Sequence, residues 1–160
     1  MKEEGIFEIV FSPEVKKTVK AVVEDGRCVS LKPYRGVVGK DNELTAPLVQ
    51  LSLAIRNYLA GKTLGIDYPF ALNVPDFEYQ VLEEVANIPL GSTMTYKELA
   101  QKIGRPGAYR AVGHALATNP LPLFVPCHRV VPGNGKPGKY IFGSEAKQIL
   151  LSREKATKKG

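Results

Sequence analysis

The chain has 160 residues, enough for one good hydrophobic core or two small ones sharing an interface. Its 44% hydrophobic and 24% charged residues exclude a disordered or fibrous protein, and no apolar run approaches the ~20 residues that a membrane span needs. The net charge of +6 is lopsided: residues 1–74 carry ten Lys/Arg against nine Asp/Glu, residues 75–160 twelve against seven. Between Lys97 and Lys139 seven basic residues face one acidic residue, Glu98, a field that suits a polyanionic partner or simply a solvated basic face. The start, MKEEGIFEIV, has no signal-peptide architecture, so the expected location is intracellular and cytoplasmic, where Cys28 and Cys127 stay thiols.

In chain order, GIFEIVF and KTVKAVVEDGRCVSL are rich in Val, Ile and Phe, and Asp25-Gly26 supplies a tight hairpin turn, which predicts a small antiparallel sheet. After a loop over 33–45 a helix is expected, with Thr45 as N-cap, apolar Leu48, Leu51, Ile55, Tyr58 and Leu59, and Gly61 as stop. Residues 61–76 contain Pro69 and Pro75 without periodicity and read as a linker, giving an α/β domain over 1–74 and a mainly helical domain over 75–160. In the second half, Phe77, Val81, Leu82 and Val85 form one helical stripe ended by Pro89. Thr95 and Glu98 form a capping box that opens a short helix, Gly104 closes it, and a second helix, AYRAVGHALAT, runs to Asn119-Pro120. Two short helices joined by such a turn match a helix-turn-helix, although many helical hairpins have no DNA partner. A last helix begins at Ser144 and is expected to pack Ile149 and Leu150.

Cys28, in a strand, reads as a small buried hydrophobe. Cys127 stands in LPLFVPCHRVVP, where a proline interrupts the apolar run and His128 and Arg129 follow the thiol. Positive neighbours lower a thiol pKa toward neutrality, so a reactive thiolate is one reading. Adjacent residues diverge in a strand and by about 100° on a helix, so His128 would reach Cys127 only through a bridging water or a bend. Two Cys and two His without a short Cys-x-x-Cys or His-x-x-x-His pair fit zinc badly. Cysteine hydrolase chemistry stays open on these residues alone.

VPCHRVV, preceded by Tyr96, by Arg110-Ala111-Val112-Gly113 and by Asn119-Pro120, resembles the O6-alkylguanine-DNA alkyltransferases, over residues 76–155 in order and spacing. The resemblance implies a ribonuclease-H-like α/β N-terminal domain and a winged-helix-like helix-turn-helix domain, working as a monomer without cofactor or metal. It implies irreversible, single-turnover transfer of an alkyl group from O6-alkylguanine, and from O4-alkylthymine, in double-stranded DNA to Cys127. The base would first be flipped out of the helix. By the same resemblance Glu154 polarises His128, which takes the thiol proton through a water, Tyr96 donates toward guanine N3, and Asn119 ties the turn before the nucleophile. Arg110 would fill the space left by the flipped base as its helix lies in the minor groove, with Ala111 and Gly113 permitting close approach and Arg129 among the DNA contacts. Tyr140 would stack near the base; Ile141 and Phe142, where many members have Ser-Gly, would narrow the pocket against bulky adducts. The family's other branch, sensors that bind lesions without reacting, lacks the cysteine kept here as Cys127.

Overall fold

The computed structural model describes residues 1–36 and 43–159, and within them the chain divides into two compact units, Met1–Leu72 and Asn73–Gly160. Residues 37–42 of the loop expected over 33–45 lie outside the described residues, as does Gly160 of the basic C-terminal end. Among the described residues no helix is long and apolar enough to cross a membrane.

The first unit is one antiparallel sheet of strands β1 (Lys2–Ser12), β2 (Val15–Glu24) and β3 (Arg27–Pro33), covered by helix α1 (Ala46–Leu59). Alternation puts Phe7, Ile9 and Phe11 of β1, Val19, Ala21 and Val23 of β2, and Cys28 and Leu31 of β3 into one buried layer. Leu48, Leu51, Ile55 and Leu59 of α1 close over it. Asp25 (φ 50) and Gly26 (φ 79) both take positive φ, as a two-residue hairpin turn demands. Gly5 is needed where α1 crosses the sheet: a Cβ there would lie 2.7 Å from Leu44 and 2.8 Å from Leu48. Thr45 occupies the N-cap position, but its hydroxyl makes no capping bond. The stretch read as a linker is partly built into the sheet edge. Cys28 N donates to Pro69 O (2.9 Å) and Ala71 N donates to Cys28 O (3.0 Å), so Phe70 forms a one-residue parallel bridge with β3.

The second unit contains helices α2 (Asp76–Ala86), α3 (Tyr96–Lys102), α4 (Tyr109–Ala117) and α5 (Ser144–Lys159), with a two-residue parallel pair β4 (Met94–Thr95) and β5 (Val130–Val131). Val81, Leu82 and Val85 of α2 are buried, whereas Phe77 is only half-buried and lies under the Arg105 guanidinium at 5.4 Å. The capping box is complete: Glu98 N donates to Thr95 Oγ1 and Thr95 N to Glu98 Oε1, both at 3.1 Å. Gly104 (φ 76) ends α3, and α4 follows after the turn, so α2, α3 and α4 pack as a helix-turn-helix core around Leu99, Ala100, Val112 and Ala115. In α5 the buried residues Ala146, Leu150 and Glu154 recur every fourth position, which places a carboxylate on the stripe that faces the interior. Ile149, expected in the core beside Leu150, is half-buried.

Candidate active site

The chain between α4 and Cys127 is a tight, braced loop. Leu123 holds φ 76, a left-handed conformation that costs a leucine about 1–2 kcal/mol. Asn119, buried at the end of α4, compensates by binding the loop twice: Leu121 N donates to its Oδ1 (2.9 Å) and its Nδ2 donates to Val125 O (3.3 Å). Its amide also favours the ionised form of the neighbouring Cys127 thiol. Cys127–Arg129 then form a single 3-10 turn, closed by Arg129 N donating to Pro126 O at 2.9 Å. Three residues per turn point successive side chains about 120° apart. Cys127, His128 and Arg129 therefore face three directions, a geometry distinct from the strand and α-helix considered above.

His128 is fully buried, with Nε2 2.9 and 3.1 Å from the two Glu154 oxygens. An ionised carboxylate only accepts, so Nε2 carries the proton and Nδ1 carries the lone pair. Nδ1 is buried without a hydrogen-bond partner among the described residues, which leaves it available as a base. Burial alone would raise the Glu154 pKa, but the hydrogen bonds from His128 and Arg129 outweigh it and hold it at about 2. Burial lowers the His128 pKa, and Glu154 pulls partly against that.

Arg129, expected to touch DNA, is instead spent inside the unit. Its Nε and one terminal nitrogen donate to Glu154 at 2.8 and 3.0 Å, the other to Ile88 O at 2.8 Å, and the residue is only 8% exposed. With that charge neutralised, the expected lowering of the thiol pKa by its sequence neighbours does not follow. Burial pushes the Cys127 thiol up, and it is the Asn119 amide and the Lys147 charge that pull it back. Lys147 was not foreseen in the sequence reading. It is buried, its own pKa is lowered by burial, and its ammonium donates to Val130 O (2.8 Å) and Lys139 O (3.3 Å). One side chain thus ties β5, after Cys127, to the loop before Tyr140. Its place three residues before Leu150 on the buried side of α5 was the available signal.

Cys127 opens onto a cavity of about 550 Å³ bordered by Tyr96, Gly113, His114, Tyr140 and Ile141 among others. Tyr96 is half-buried and its phenol pKa is raised by burial, then by the neighbouring thiol, so it stays a proton donor at neutral pH. Tyr140 meets His128 edge-on at 6.1 Å and Phe142 edge-on at 5.7 Å. Phe142, expected to narrow the pocket, is 2% exposed and supports Tyr140 from behind, so of the two residues only Ile141 reaches the rim. His114 lines the mouth, a position the sequence reading did not assign it. Arg110 and Ala111 are exposed on α4 and do not line the cavity. Among the described residues no group of three His, Cys, Asp or Glu is placed to hold a metal.

Residues 76–156 match the family model described as 6-O-methylguanine DNA methyltransferase, DNA binding domain. The methylated-DNA–protein-cysteine methyltransferase of Methanosarcina barkeri is 43% identical over 97 residues, 61% of this chain and 61% of that protein. Its counterpart in Shigella flexneri is 43% identical over 105 residues, 65% of this chain and 61% of that one. The matches thus span about three-fifths of these relatives' length. The crystal structure of Mycobacterium tuberculosis O6-methylguanine methyltransferase superposes with a TM-score of 0.78 at 29% identity, covering 98% of this chain and 94% of that one. A structure of the same relative in complex with DNA gives 0.76 at 29% identity over 93% and 92% of the two chains. With the Cys127–Arg129 turn, the buried His128–Glu154 pair and the helix-turn-helix all inside the matched stretch, this chain belongs to the 6-O-methylguanine DNA methyltransferase family.

Proposed function

We propose that the protein repairs alkylated DNA directly, moving the alkyl group from O6 of guanine, and from O4 of thymine, to Cys127 once per molecule. The observation that carries this is the placement of Cys127 on a cavity of about 550 Å³, with an unpartnered His128 Nδ1 inside the protein and a protonated Tyr96 bordering the same space. A cavity of that size takes one nucleobase, and a base reaches it only when rotated out of the duplex.

The chemistry runs as an in-line displacement. The Cys127 proton passes through a water to His128 Nδ1, while Glu154 holds Nε2–H and stabilises the imidazolium that forms. Sulfur then bonds to the alkyl carbon as the C–O6 bond breaks, and that electron pair moves into the purine. Tyr96 supplies a proton toward N3, so guanine leaves neutral, and the imidazolium proton returns to the phenolate through solvent. The product is a thioether, which water does not hydrolyse, and this accounts for one transfer per chain. The Lys147 ammonium offsets the thiolate charge while it exists.

Docking from the minor groove suits a protein that must inspect many sequences, since that groove carries little sequence information. Arg110, which is exposed in the first turn of α4, would enter the duplex where the base has left.

The test is peptide mass spectrometry after mixing the protein with excess duplex carrying O6-methylguanine. The expected result is one methyl per chain, on Cys127, with no further turnover and no transfer to Cys127→Ser. Tight binding without a mass change would overturn transfer in favour of lesion sensing.

A further inference from the structure

Beside the cavity that holds Cys127 lies a second one, of about 540 Å³, lined by Thr95, Tyr96, Lys97, Pro106, Tyr109, Pro132 and Gly133. Tyr96 borders both, so the two cavities are neighbours. The second cavity is walled by two tyrosines and two prolines, and its one charged lining residue is Lys97, exposed at the rim. Glu98, the one carboxylate in this basic stretch, is turned away into the capping box with Thr95 N.

Tyr109 has no evident packing role. It is 50% exposed in the first turn of α4, whereas Val112 and Ala115 carry that helix's contact with the core. It stands immediately before Arg110. An aromatic ring, two prolines and a rim cation are what a sequence-tolerant nucleotide site uses: a flat apolar face for a base or sugar and a positive charge for the phosphate. Two cavities that share a lining residue are adjacent, so a strand that delivers a base to the first can present its neighbour to the second.

Resting on the alkyl-transfer reading above, we propose that this second cavity receives the nucleotide next to the flipped one in the same strand, its base or sugar against Tyr109 and its phosphate toward Lys97. Occupancy there holds the strand beside Tyr96 while the flipped base reacts, and it adds affinity that does not depend on sequence.

The test is a cycle between protein and DNA. Single-turnover methyl transfer is measured for wild type, Tyr109→Ala and Tyr109→Phe on duplexes whose O6-methylguanine has an intact or an abasic neighbour on its 5′ or 3′ side. A base stacked on one tyrosine is worth about 1–3 kcal/mol, so one abasic neighbour should weaken productive binding by wild type about 5- to 150-fold at subsaturating protein. In Tyr109→Ala that penalty should disappear, and in Tyr109→Phe, which keeps the ring, it should remain. Lys97→Gln should flatten the salt dependence of binding by about one phosphate charge. Equal abasic penalties in wild type and Tyr109→Ala on both sides would overturn the inference, as would an unchanged salt slope for its phosphate half. Absence of any methyl on wild-type Cys127 would instead mean that the alkyl-transfer reading has failed.

Discussion

Replacing Glu154 by Gln keeps the side chain's shape and removes its charge, and the structure sets the size of the effect. The carboxylate accepts from His128 and twice from Arg129, whose guanidinium is only 8% exposed and has no other acid within the ion-pair limit among the described residues. Removing one partner of such a buried pair costs about 3–5 kcal/mol. The depression of the Glu154 pKa from its ordinary 4.5 to about 2 leads independently to about 3 kcal/mol at neutral pH. The sign follows from linkage. A folded-state pKa below the unfolded one contributes stability that is complete above pH 4.5 and is lost as pH falls toward 2. His128 acts in the same sense, since burial lowers its pKa and the folded state resists the proton it would take up below about 6.5. Stability of α5 and of Cys127–Val131 is measured by hydrogen exchange near neutral pH, and the acid limb by urea unfolding between pH 5 and 2. The variant should lose about 3 kcal/mol at pH 7, and its difference from wild type should shrink as pH falls through 4.5 to 2. A loss below about 1 kcal/mol, or a difference that does not change with pH, would refute the charge network as the source of stability.

A Cβ at Gly113 meets no atom within 4 Å, so Gly113→Ala should leave the melting temperature unchanged or raise it by the helix-propensity gain of about 0.5–1 kcal/mol. Methyl transfer from duplex DNA should nonetheless slow if that face of α4 needs the space, as stopped-flow quench would show. Adduct size should respond to Ile141 at the rim and not to Phe142 behind it: Ile141→Gly should speed benzyl transfer relative to methyl. Phe142→Ala should chiefly cost about 3–5 kcal/mol of stability, read by thermal denaturation. Lys147→Met should cost about 1–3 kcal/mol for each of the Val130 and Lys139 carbonyls it strands, and should raise the pH at which iodoacetamide modifies Cys127.

Local signals were the legible ones. Asp25-Gly26, the Thr95–Glu98 capping box and Gly104 act over three or four residues, so the chain alone dictates them, and each hairpin or helix end formed where its chemistry placed it. The VPCHRVV stretch is equally local, and the family it resembles is the one to which the chain belongs. What the sequence could not convey was tertiary. Phe70 joins the edge of β3 through backbone groups that any residue possesses, so no side-chain pattern announces it. Phe142 looked like a pocket residue because it follows Tyr140 and Ile141, yet its ring turns inward onto Tyr140. Lys147 drew no expectation, because lysine is seldom buried, and two backbone carbonyls converging from different segments make its burial tolerable.

Arg129 separates the two ways of reading adjacent functional residues. A thiol, an imidazole and a guanidinium in a row invite the view that all three face the substrate. The 3-10 turn forbids it, because side chains about 120° apart cannot converge on one ligand. Each therefore joins a different layer: sulfur meets the cavity, imidazole meets the carboxylate behind it, and guanidinium bolts that carboxylate to the end of α2 through Ile88 O. Arg129→Lys discriminates sharply. If the residue bound a phosphate, lysine would preserve both the charge and most of the affinity. In the observed role an ammonium cannot span both Glu154 oxygens and a carbonyl at once, so the substitution should cost about 2–3 kcal/mol. Affinity of Cys127→Ser for duplex DNA and its salt slope should be unaltered when Arg129→Lys is added, while urea unfolding shifts to lower midpoint. Unchanged urea stability in Arg129→Lys would return Arg129 to the DNA surface, since a phosphate contact would keep its charge and the buried network would not be broken.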